Sequence, residues 1–323
     1  MRCLLVGGSG FMGTHLTARL LDDRHSVRVY SRGPGRFRPT SADAEFVEGE
    51  LGNAGLVREA VAGMEVVYHF VSTTLPKTSN DDPIYDVRSN LVDTLVLLEA
   101  CVEAGVRKVI FTSSGGTVYG PPRTVPIGED HPTDPITSYG IVKLAIEKYL
   151  GLFRYLHGLN CAVLRISNPY GPYQDPAGQQ GVISVFLNRI LAGEPITIWG
   201  DGTVVRDYLY VADLVDALVL AAEVETESKV FNIGSGRGAA LKEIIALMAE
   251  VTGEKPMVEY LPGRTLDVPA NVLDVRRARE ELGWTPRTGL ADGMAETWAW
   301  IQTLTSDIQE RPRGEGSMRR SPH

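Results

Sequence analysis

The chain has 323 residues and a formal net charge of −8, with 40 Asp and Glu against 32 Lys and Arg. A chain of this length suggests about two domains with a sizeable core, and its negative charge argues against non-specific binding to nucleic acid. The three cysteines, Cys3, Cys101 and Cys161, lie far apart in apolar stretches, so we expect reduced core cysteines and no metal site. No apolar run approaches the ~20 residues that a membrane span needs, and the first residues lead directly into a motif. We therefore expect a cytoplasmic protein with no membrane partner.

In the first half of the chain, short apolar runs alternate with helical patterns. Strands are predicted at residues 3–6, 27–30, 66–71, 109–112 and 161–166, and helices at 11–21, 56–62, 91–104 and 139–157. This alternation is typical of β-α-β units, whose parallel sheet is covered on both faces and therefore has continuously apolar strands. We predict an α/β fold with a Rossmann-type, doubly wound parallel sheet, and a dinucleotide-binding domain over residues 1–167.

The composition changes after residue 167, where residues 168–181 are rich in Gly, Pro, Tyr and Gln and predict a long functional loop. Helices at 183–192, 212–223 and 241–251, strands at 196–199 and 230–233, and two short helices near Arg276 and Ala295 are predicted to follow. We predict a smaller C-terminal α/β substrate domain over residues 168–303, with 204–226 returning to the first domain. Residues 306–323 are polar and basic, and we expect a disordered tail there.

A glycine-rich loop follows the first predicted strand and opens the first predicted helix. Gly7, Gly10 and Gly13 have the spacing of a dinucleotide-binding turn, which needs a sharp bend, close approach of a pyrophosphate and tight packing of helix on strand. The free N–H groups at the start of the helix would face the phosphates. The strand-turn-helix context therefore predicts a dinucleotide site.

The second predicted strand ends in Tyr30-Ser31-Arg32, where an acidic residue usually binds the adenosine ribose. Ser31 can hydrogen-bond a ribose hydroxyl. Arg32 can pair with a 2′-phosphate, or it can lie along the adenine face. The sequence therefore leaves NAD and NADP both open.

Tyr139 and Lys143 are four residues apart at the start of a long predicted helix, so they share one face. An ammonium near a phenol lowers the pKa of the phenol, which makes Tyr139 a candidate general base or acid. Ser113 and Ser114 follow a predicted strand and are expected at the carboxyl edge of the sheet, where ligands bind. Together they predict a Ser-Tyr-Lys site, although either serine can instead close the strand-loop turn.

These motifs are followed in order by RISNPYG, WGDG, VRDYLYV and FNIGSG. The whole set resembles the extended short-chain dehydrogenase/reductases, and within them the UDP-glucose 4-epimerase-like sugar-nucleotide epimerases, over about residues 1–300. The resemblance implies a catalytic Tyr139 and Lys143, with Ser114 as the catalytic hydroxyl and Ser113 and Thr117 as fallbacks. It also implies a homodimer that pairs helices 91–104 and 141–157 across a two-fold axis, with packing inside the monomer as the alternative.

The resemblance also implies two sets of binding residues. The cofactor is expected to contact Gly7, Gly10, Phe11, Met12, Gly13, Ser31, Arg32, Glu50, Leu51, Phe70, Val71, Ser72, Asn90, Tyr139, Lys143 and Ser167, with Glu50 standing where the family usually has Asp. The nucleotide sugar is expected to contact Thr73, Asn168, Trp199, Arg206, Arg264 and Asp267. Core packing of Trp199 and an ion pair between Arg206 and Asp207 are the alternatives.

Two departures from the family pattern bear on function. Gly181-Val182-Ile183 stands where the glucose 4-epimerases have an asparagine that contacts the nucleotide, which weakens the case for UDP. The loop Gly115-Gly116-Thr117 lacks the carboxylate that the related dehydratases and decarboxylases carry. We expect an NAD-dependent isomerase that epimerises a nucleotide-linked sugar, UDP-linked by the resemblance, at C4 through a transient 4-keto intermediate. An NADP-dependent reductase or dehydrogenase of the same fold and a non-catalytic dinucleotide-binding protein are the alternatives.

Overall fold

The structure is a computed structural model that describes residues 1–263 and 268–309, with side chains described through residue 304. The strands are β1 Arg2–Val6, β2 Ser26–Ser31, β3 Glu45–Glu48, β4 Val66–His69, β5 Lys108–Ser114, β6 Asn160–Ile166, β7 Asn168–Tyr170, β8 Ile196–Trp199, β9 Val205–Tyr210, β10 Val230–Ile233, β11 Gly238–Ala240, β12 Val258–Leu261 and β13 Ala270–Asn271. The helices are α1 Phe11–Asp22, α2 Ala54–Val61, α3 Pro83–Asp86, α4 Asp93–Glu103, α5 Ser138–His157, α6 Val182–Ala192, α7 Val211–Glu223, α8 Leu241–Thr252, α9 Arg276–Leu282 and α10 Leu290–Gln309. A π-helical turn, Val87–Val92, joins α3 to α4.

The centre of the molecule is a seven-stranded parallel sheet in the order β10-β6-β5-β4-β1-β2-β3. Helices α1 and α7 pack over one face, and α2, α4 and α5 over the other. Strand β4 is buried at every position, which explains the continuous apolar runs in the sequence. The predicted Rossmann-type fold is confirmed. The order of strand addition switches from one side of β1 to the other between β1 and β4, and folds of this type bind ligands at such a switch point.

Strand β10 lies in this central sheet, outside the segment that we predicted to return to the first domain. It pairs with β6 because its Phe231 and Ile233 side chains are fully buried there. Within the returning segment itself, α7 packs on α1, whereas β9 belongs to a second sheet of four strands. The predicted domain boundaries are therefore only partly reflected in the strand pairing.

The second sheet consists of β11, β9 and β13, with β7 also paired to β9, and β8 pairs separately with β12. Helices α6, α8 and α10 pack around a third core cluster that includes Met248 and Met294. The prediction of a short helix near Ala295 was wrong, because α10 runs for 20 residues and buries Ile301. This helix includes residues 306–309 of the predicted tail, and the remainder of that tail lies outside the described residues.

None of the helices within the described ranges is long and apolar enough to cross a membrane. The three cysteines are buried and unpaired. In the part of the chain that the structure describes, no cluster of His, Cys, Asp and Glu is arranged to hold a metal ion.

Candidate active site

A cleft of about 940 Å³ opens at the carboxyl ends of the central strands. One wall is built by the glycine-rich loop, the segments that follow β4, β5 and β6, and the start of α5. The opposite wall is built by α6, β8 and β9. The predicted residues that line it are Gly7, Gly10, Phe11, Met12, Gly13, Phe70, Ser72, Ser114, Tyr139, Lys143, Ser167, Asn168, Trp199 and Arg206.

The glycine-rich loop has the close packing that its spacing predicts. Gly7 has φ +83°, and a Cβ at this position would lie 3.0 Å from Val71 Cγ2. A Cβ at Gly13 would lie 2.5 Å from Gly8 Cα, so only glycine allows α1 to approach the turn. Helix α1 begins at Phe11, and no side chain caps its first N–H groups. The cleft therefore contains an uncapped helix N-terminus, which suits a diphosphate.

The residues predicted around the adenosine lie outside the cleft lining. Ser31 is buried, and its Oγ accepts a hydrogen bond from Ser9 N at 3.2 Å, so this hydroxyl holds the glycine-rich loop. Arg32 and Glu50 are exposed, and Leu51 is buried in the core. Their contacts with a cofactor stay predictions.

Thr73 and Asn90 lie behind the cleft wall. Thr73 N donates to Asn90 Oδ1 at 2.9 Å, and Asn90 Nδ2 donates to Asp86 Oδ1 at 2.9 Å. The Thr73 hydroxyl is bonded to Ser89 Oγ at 2.6 Å. Asn90 thus orders the segment after β4, and its contact with the cofactor stays a prediction. Thr73, in contrast, is not among the described residues that line the cleft, because its side chain is taken up by this network.

Lys143 is buried between the sheet and α5, and its Nζ donates to Thr112 O at 3.0 Å. The same Nζ lies 5.7 Å from the centroid of the Tyr139 ring, so the two residues share one face of the helix. Burial lowers the pKa of Lys143 to about 8, while the charges of Asp86 and Glu147 raise it.

The sequence analysis expected Lys143 to lower the pKa of Tyr139. For the protein alone this expectation was wrong, because the pKa is raised. Burial, followed by the charge of Asp86, raises the pKa of Tyr139 to about 12, and a hydrogen bond with Ser72 offsets only part of this. Lys143 does not compensate because its ammonium is directed at Thr112 O. The phenol is therefore in its neutral, protonated form at neutral pH.

The structure separates the three candidate hydroxyls near Tyr139. Ser113 Oγ donates to the buried Glu147 Oε1 at 2.5 Å and is therefore occupied. Ser114 is half-buried and lines the cleft, and its side-chain Oγ forms no hydrogen bond to any residue within the described ranges. The Oγ1 atom of Thr117 is also buried, and it has no hydrogen-bond partner among the described residues. Geometry favours Ser114, with Thr117 as the second donor.

The groups predicted to hold the nucleotide lie on β7 and on the wall built by α6, β8 and β9. Asn168 Nδ2 donates to Asp207 O at 2.9 Å, and Arg206 Nη1 donates to Val268 O at 2.8 Å. Asp207 is fully buried, and its carboxylate accepts hydrogen bonds from Ser235 and from backbone N–H groups, which accounts for it without an ion pair to Arg206. Trp199 is 40% exposed at the cleft and is not core. Arg264 and Asp267 lie outside the described residues.

Arg189 and Gln174 are two of the lining residues that the sequence analysis did not name. Arg189 lies on α6 and donates to Pro195 O at 2.8 Å, and the one charged residue in a mostly apolar helix was the available signal. Gln174 accepts a hydrogen bond from Ser184 Oγ at 2.9 Å and packs against Gly181, where a Cβ would lie 2.6 Å from Gln174 Cδ. The glutamine amide therefore occupies the space next to the glycine that departs from the family pattern.

A sequence model described as the NAD dependent epimerase/dehydratase family matches residues 3–234. The chain belongs to that family. A UDP-glucose 4-epimerase of Mycolicibacterium smegmatis is 40% identical over 306 residues, covering 92% of this chain and 97% of the relative. A dTDP-4-dehydro-6-deoxyglucose reductase of Escherichia coli is 38% identical over 300 residues, covering 90% of this chain and 94% of the relative.

Among solved structures, a UDP-glucose 4-epimerase of Thermotoga maritima with UDP-glucose superimposes with a TM-score of 0.90 at 37% identity. The match covers 94% of this chain and all of that chain (100%). This protein is an NAD-dependent nucleotide-sugar epimerase.

The cleft residues fit a bound NAD molecule. The loop at Gly7 and Gly13 is a cradle that side chains would fill. Ser167 Oγ is buried in the cleft wall and has no hydrogen-bond partner within the described ranges. A buried hydroxyl without a partner is costly, which indicates that a ligand satisfies it.

Proposed function

We propose that this NAD-dependent epimerase acts on a UDP-linked hexose and inverts its C4 carbon through a transient 4-keto sugar. The observation that carries the proposal is the convergence of Ser114, Tyr139 and Lys143 on a cleft that begins at the glycine-rich loop. The loop after Ser114 contains no carboxylate to expel water from the sugar, which favours epimerisation over dehydration. The UDP preference is supported by the named substrates of the similar epimerases.

In the proposed reaction, Tyr139 accepts the proton of the C4 hydroxyl and later returns it. Ser114 donates a hydrogen bond to the same oxygen and fixes its direction. Lys143 adds a positive charge next to the phenol. When bound, NAD supplies the hydride acceptor and donor and, in its oxidised form, a positive charge that favours the phenolate.

Inversion requires the keto sugar to turn while its nucleotide stays in place. The proposed anchors are Arg206 and Arg189 on the wall built by α6, β8 and β9, together with Asn168 on β7, and arginine is suited to a diphosphate by its fork of donors. Gln174 is proposed to take over the amide contact that Gly181 lacks. Trp199 is proposed to stack on the uracil base.

The test is an assay of the protein as purified against UDP-glucose and dTDP-glucose, with no cofactor added. We expect interconversion of the UDP sugar at C4 and NAD released in near-stoichiometric amount on denaturation. Tyr139→Phe is expected to abolish turnover while the protein keeps its fold and its NAD. Full activity in Tyr139→Phe would contradict the proposed role.

A reductase is the second candidate, because one similar protein is a dTDP-4-dehydro-6-deoxyglucose reductase. Arg32 is exposed beside the end of β2 and is free of the core, so it is available to a 2′-phosphate. This candidate predicts that turnover needs added NADPH and consumes it. Arg32→Ala would then weaken NADPH binding more than NADH binding.

We also propose a homodimer formed through α5 and the segment before α4. Ile141, Leu152 and Leu156 are exposed apolar residues on α5, with 55%, 43% and 58% exposure. Ile84 and Tyr85 extend the same kind of surface on α3, which contacts α5. Several large apolar side chains exposed on neighbouring helices favour a protein contact. Leu156→Glu is expected to give a monomer in light scattering, and an unchanged mass would contradict the interface.

A cytoplasmic location is part of the same proposal. Its support is the state of Cys3, Cys101 and Cys161, which are all buried and unpaired. Free thiols of this kind are typical of a reducing compartment.

A further inference from the structure

Asp86 is a fully buried carboxylate that the proposed reaction does not use. It ends α3, immediately before the π-helical turn Val87–Val92. Its Oδ1 accepts from Thr74 Oγ1 at 2.6 Å and from Asn90 Nδ2 at 2.9 Å, and its Oδ2 accepts from Ser138 Oγ at 2.6 Å. All three donors are neutral, and no described residue forms an ion pair with Asp86. A buried charge without a counter-ion is costly, so its presence points to a role in the site.

The hydrogen bond to Ser138 connects Asp86 to the catalytic helix. Ser138 is the first residue of α5, and Tyr139 follows it. The backbone N–H groups of these two residues donate to Asn80 Oδ1 at 2.9 Å and to Ser79 Oγ at 3.0 Å. A carboxylate near a helix N-terminus is stabilised by the helix dipole, which offsets part of the cost of burial. The start of α5 is therefore held against the segment that follows β4.

Asp86 is also the only group that acts electrostatically on both catalytic residues among the described neighbours. After burial, its charge is the next cause that raises the pKa of Tyr139, and it is the first of the two charges that raise the pKa of Lys143. The second is that of Glu147 on α5. On β4, His69 faces Lys143 but is neutral, because burial and the lysine lower its pKa to about 3.

We propose that Asp86 is a positioning residue of the epimerase: from the hydrogen-bond network that holds the start of α5, its buried negative charge acts on both Lys143 and Tyr139. The inference rests on the proposed function for its kinetic consequences. If the charge is removed, Lys143 loses a stabilising anion and Tyr139 loses a repelling one. The pKa of each group then falls, and both limbs of the pH profile move to lower pH.

The test is Asp86→Asn in the NAD-containing enzyme, compared with Ser138→Ala. We expect Asp86→Asn to shift both limbs of the kcat/KM profile down by about one pH unit. Ser138→Ala removes the hydrogen bond but keeps the carboxylate, so it is expected to lower kcat without moving either limb. A loss of activity in Asp86→Asn with both limbs unmoved would overturn the proposal, because a merely structural role predicts that result.

A second readout does not depend on turnover. The difference in phenolate absorbance between each protein and its Tyr139→Phe counterpart reports the titration of Tyr139 alone. We expect a lower midpoint in Asp86→Asn than in the parent. If the parent turns over no UDP sugar and this midpoint still falls, the proposed function fails and the role of Asp86 stands.

Asp86→Ser, which leaves room for water in place of the carboxylate, is the second variant if Asp86→Asn does not fold. It is expected to show the same downward shift. If neither variant folds and retains NAD, Asp86 is required for the fold itself, and the proposal is overturned.

Discussion

Glu147 and Arg165 form a buried ion pair next to Ser113, at the end of β5. Breaking this pair is predicted to destabilise the protein strongly. Their side chains are only 4% and 5% exposed, and the closest contact, Arg165 Nη2 to Glu147 Oε2, is 2.6 Å. Arg165 Nε donates to both carboxylate oxygens, at 3.1 and 3.2 Å. Glu147 also accepts the Ser113 hydroxyl. In Glu147→Gln the guanidinium stays buried with only the Tyr119 hydroxyl, a backbone carbonyl and a neutral amide for partners.

Removing one partner of a buried pair costs about 3–5 kcal/mol, because the other charge remains desolvated. The total stability of a domain is about 5–15 kcal/mol, so a loss of this size is easily measured. The assay is urea unfolding of both proteins, with the midpoint and slope fitted together. A loss of activity is also expected, since the charged acceptor of the Ser113 hydroxyl is lost and Ser113 precedes Ser114.

The matched control is Glu103→Gln, which breaks the exposed pair between Arg58 and Glu103. That pair has an N–O distance of 3.0 Å, but its side chains are 50% and 57% exposed. An exposed pair contributes about 0–1 kcal/mol. If both variants lose the same small amount of stability, the argument from burial is refuted.

Three further predictions concern the cofactor cradle and the core. Gly13→Ala places a methyl group 2.5 Å from Gly8 Cα and is expected to cost about 1–3 kcal/mol and most of the bound NAD, whereas Gly151→Ala on an open part of α5 is expected to cost nothing. Ser167→Ala is expected to lower NAD affinity without lowering the melting temperature, because the hydroxyl has no partner among the described residues. Burial lowers the pKa of His69 to about 3 from 6.5, so the unfolded chain binds the extra proton between these values and stability falls as the pH drops through this range, less steeply in His69→Gln.

Each of these has a contrary outcome. Equal NAD contents in Gly13→Ala and Gly151→Ala would refute the close-approach argument. A destabilised Ser167→Ala protein with unchanged NAD affinity would make that hydroxyl structural. Identical pH dependence of unfolding in the parent and in His69→Gln would show that His69 is not held neutral.

The parts of the fold that depend on local patterns were predicted well. The strand-turn-helix at Gly7 and the start of the catalytic helix at Tyr139 lie within a residue of their predicted places. Strands β9 and β13 were missed because they contain two to six residues and gain their pairing from distant parts of the chain. The π-helical turn before α4 was missed for a similar reason, since Asn90 and Asp86 stabilise it through contacts with the segment after β4.

The sequence predicted which residues form the candidate site better than it predicted how the site changes their pKa values. Tyr139 and Lys143 share one face of α5 as their spacing indicated, and Ser114, placed by its strand and by the resemblance, lines the same cleft. The effect of Lys143 on Tyr139 was not predictable, because burial depends on the packing of α5 against the sheet and outweighs a nearby charge. The sequence also does not show that the Thr73 hydroxyl is bonded to Ser89, or that Arg189 lines the cleft.

The most direct test of the central claim is to follow a hydrogen isotope at the reacting carbon. The protein as purified is incubated with UDP-glucose that carries deuterium at C4, with no cofactor added. The account predicts UDP-galactose with the deuterium retained at C4, because the hydride leaves and returns within one closed cleft. A product that forms only with added NADPH, or that loses its deuterium to an added nucleotide, would contradict it.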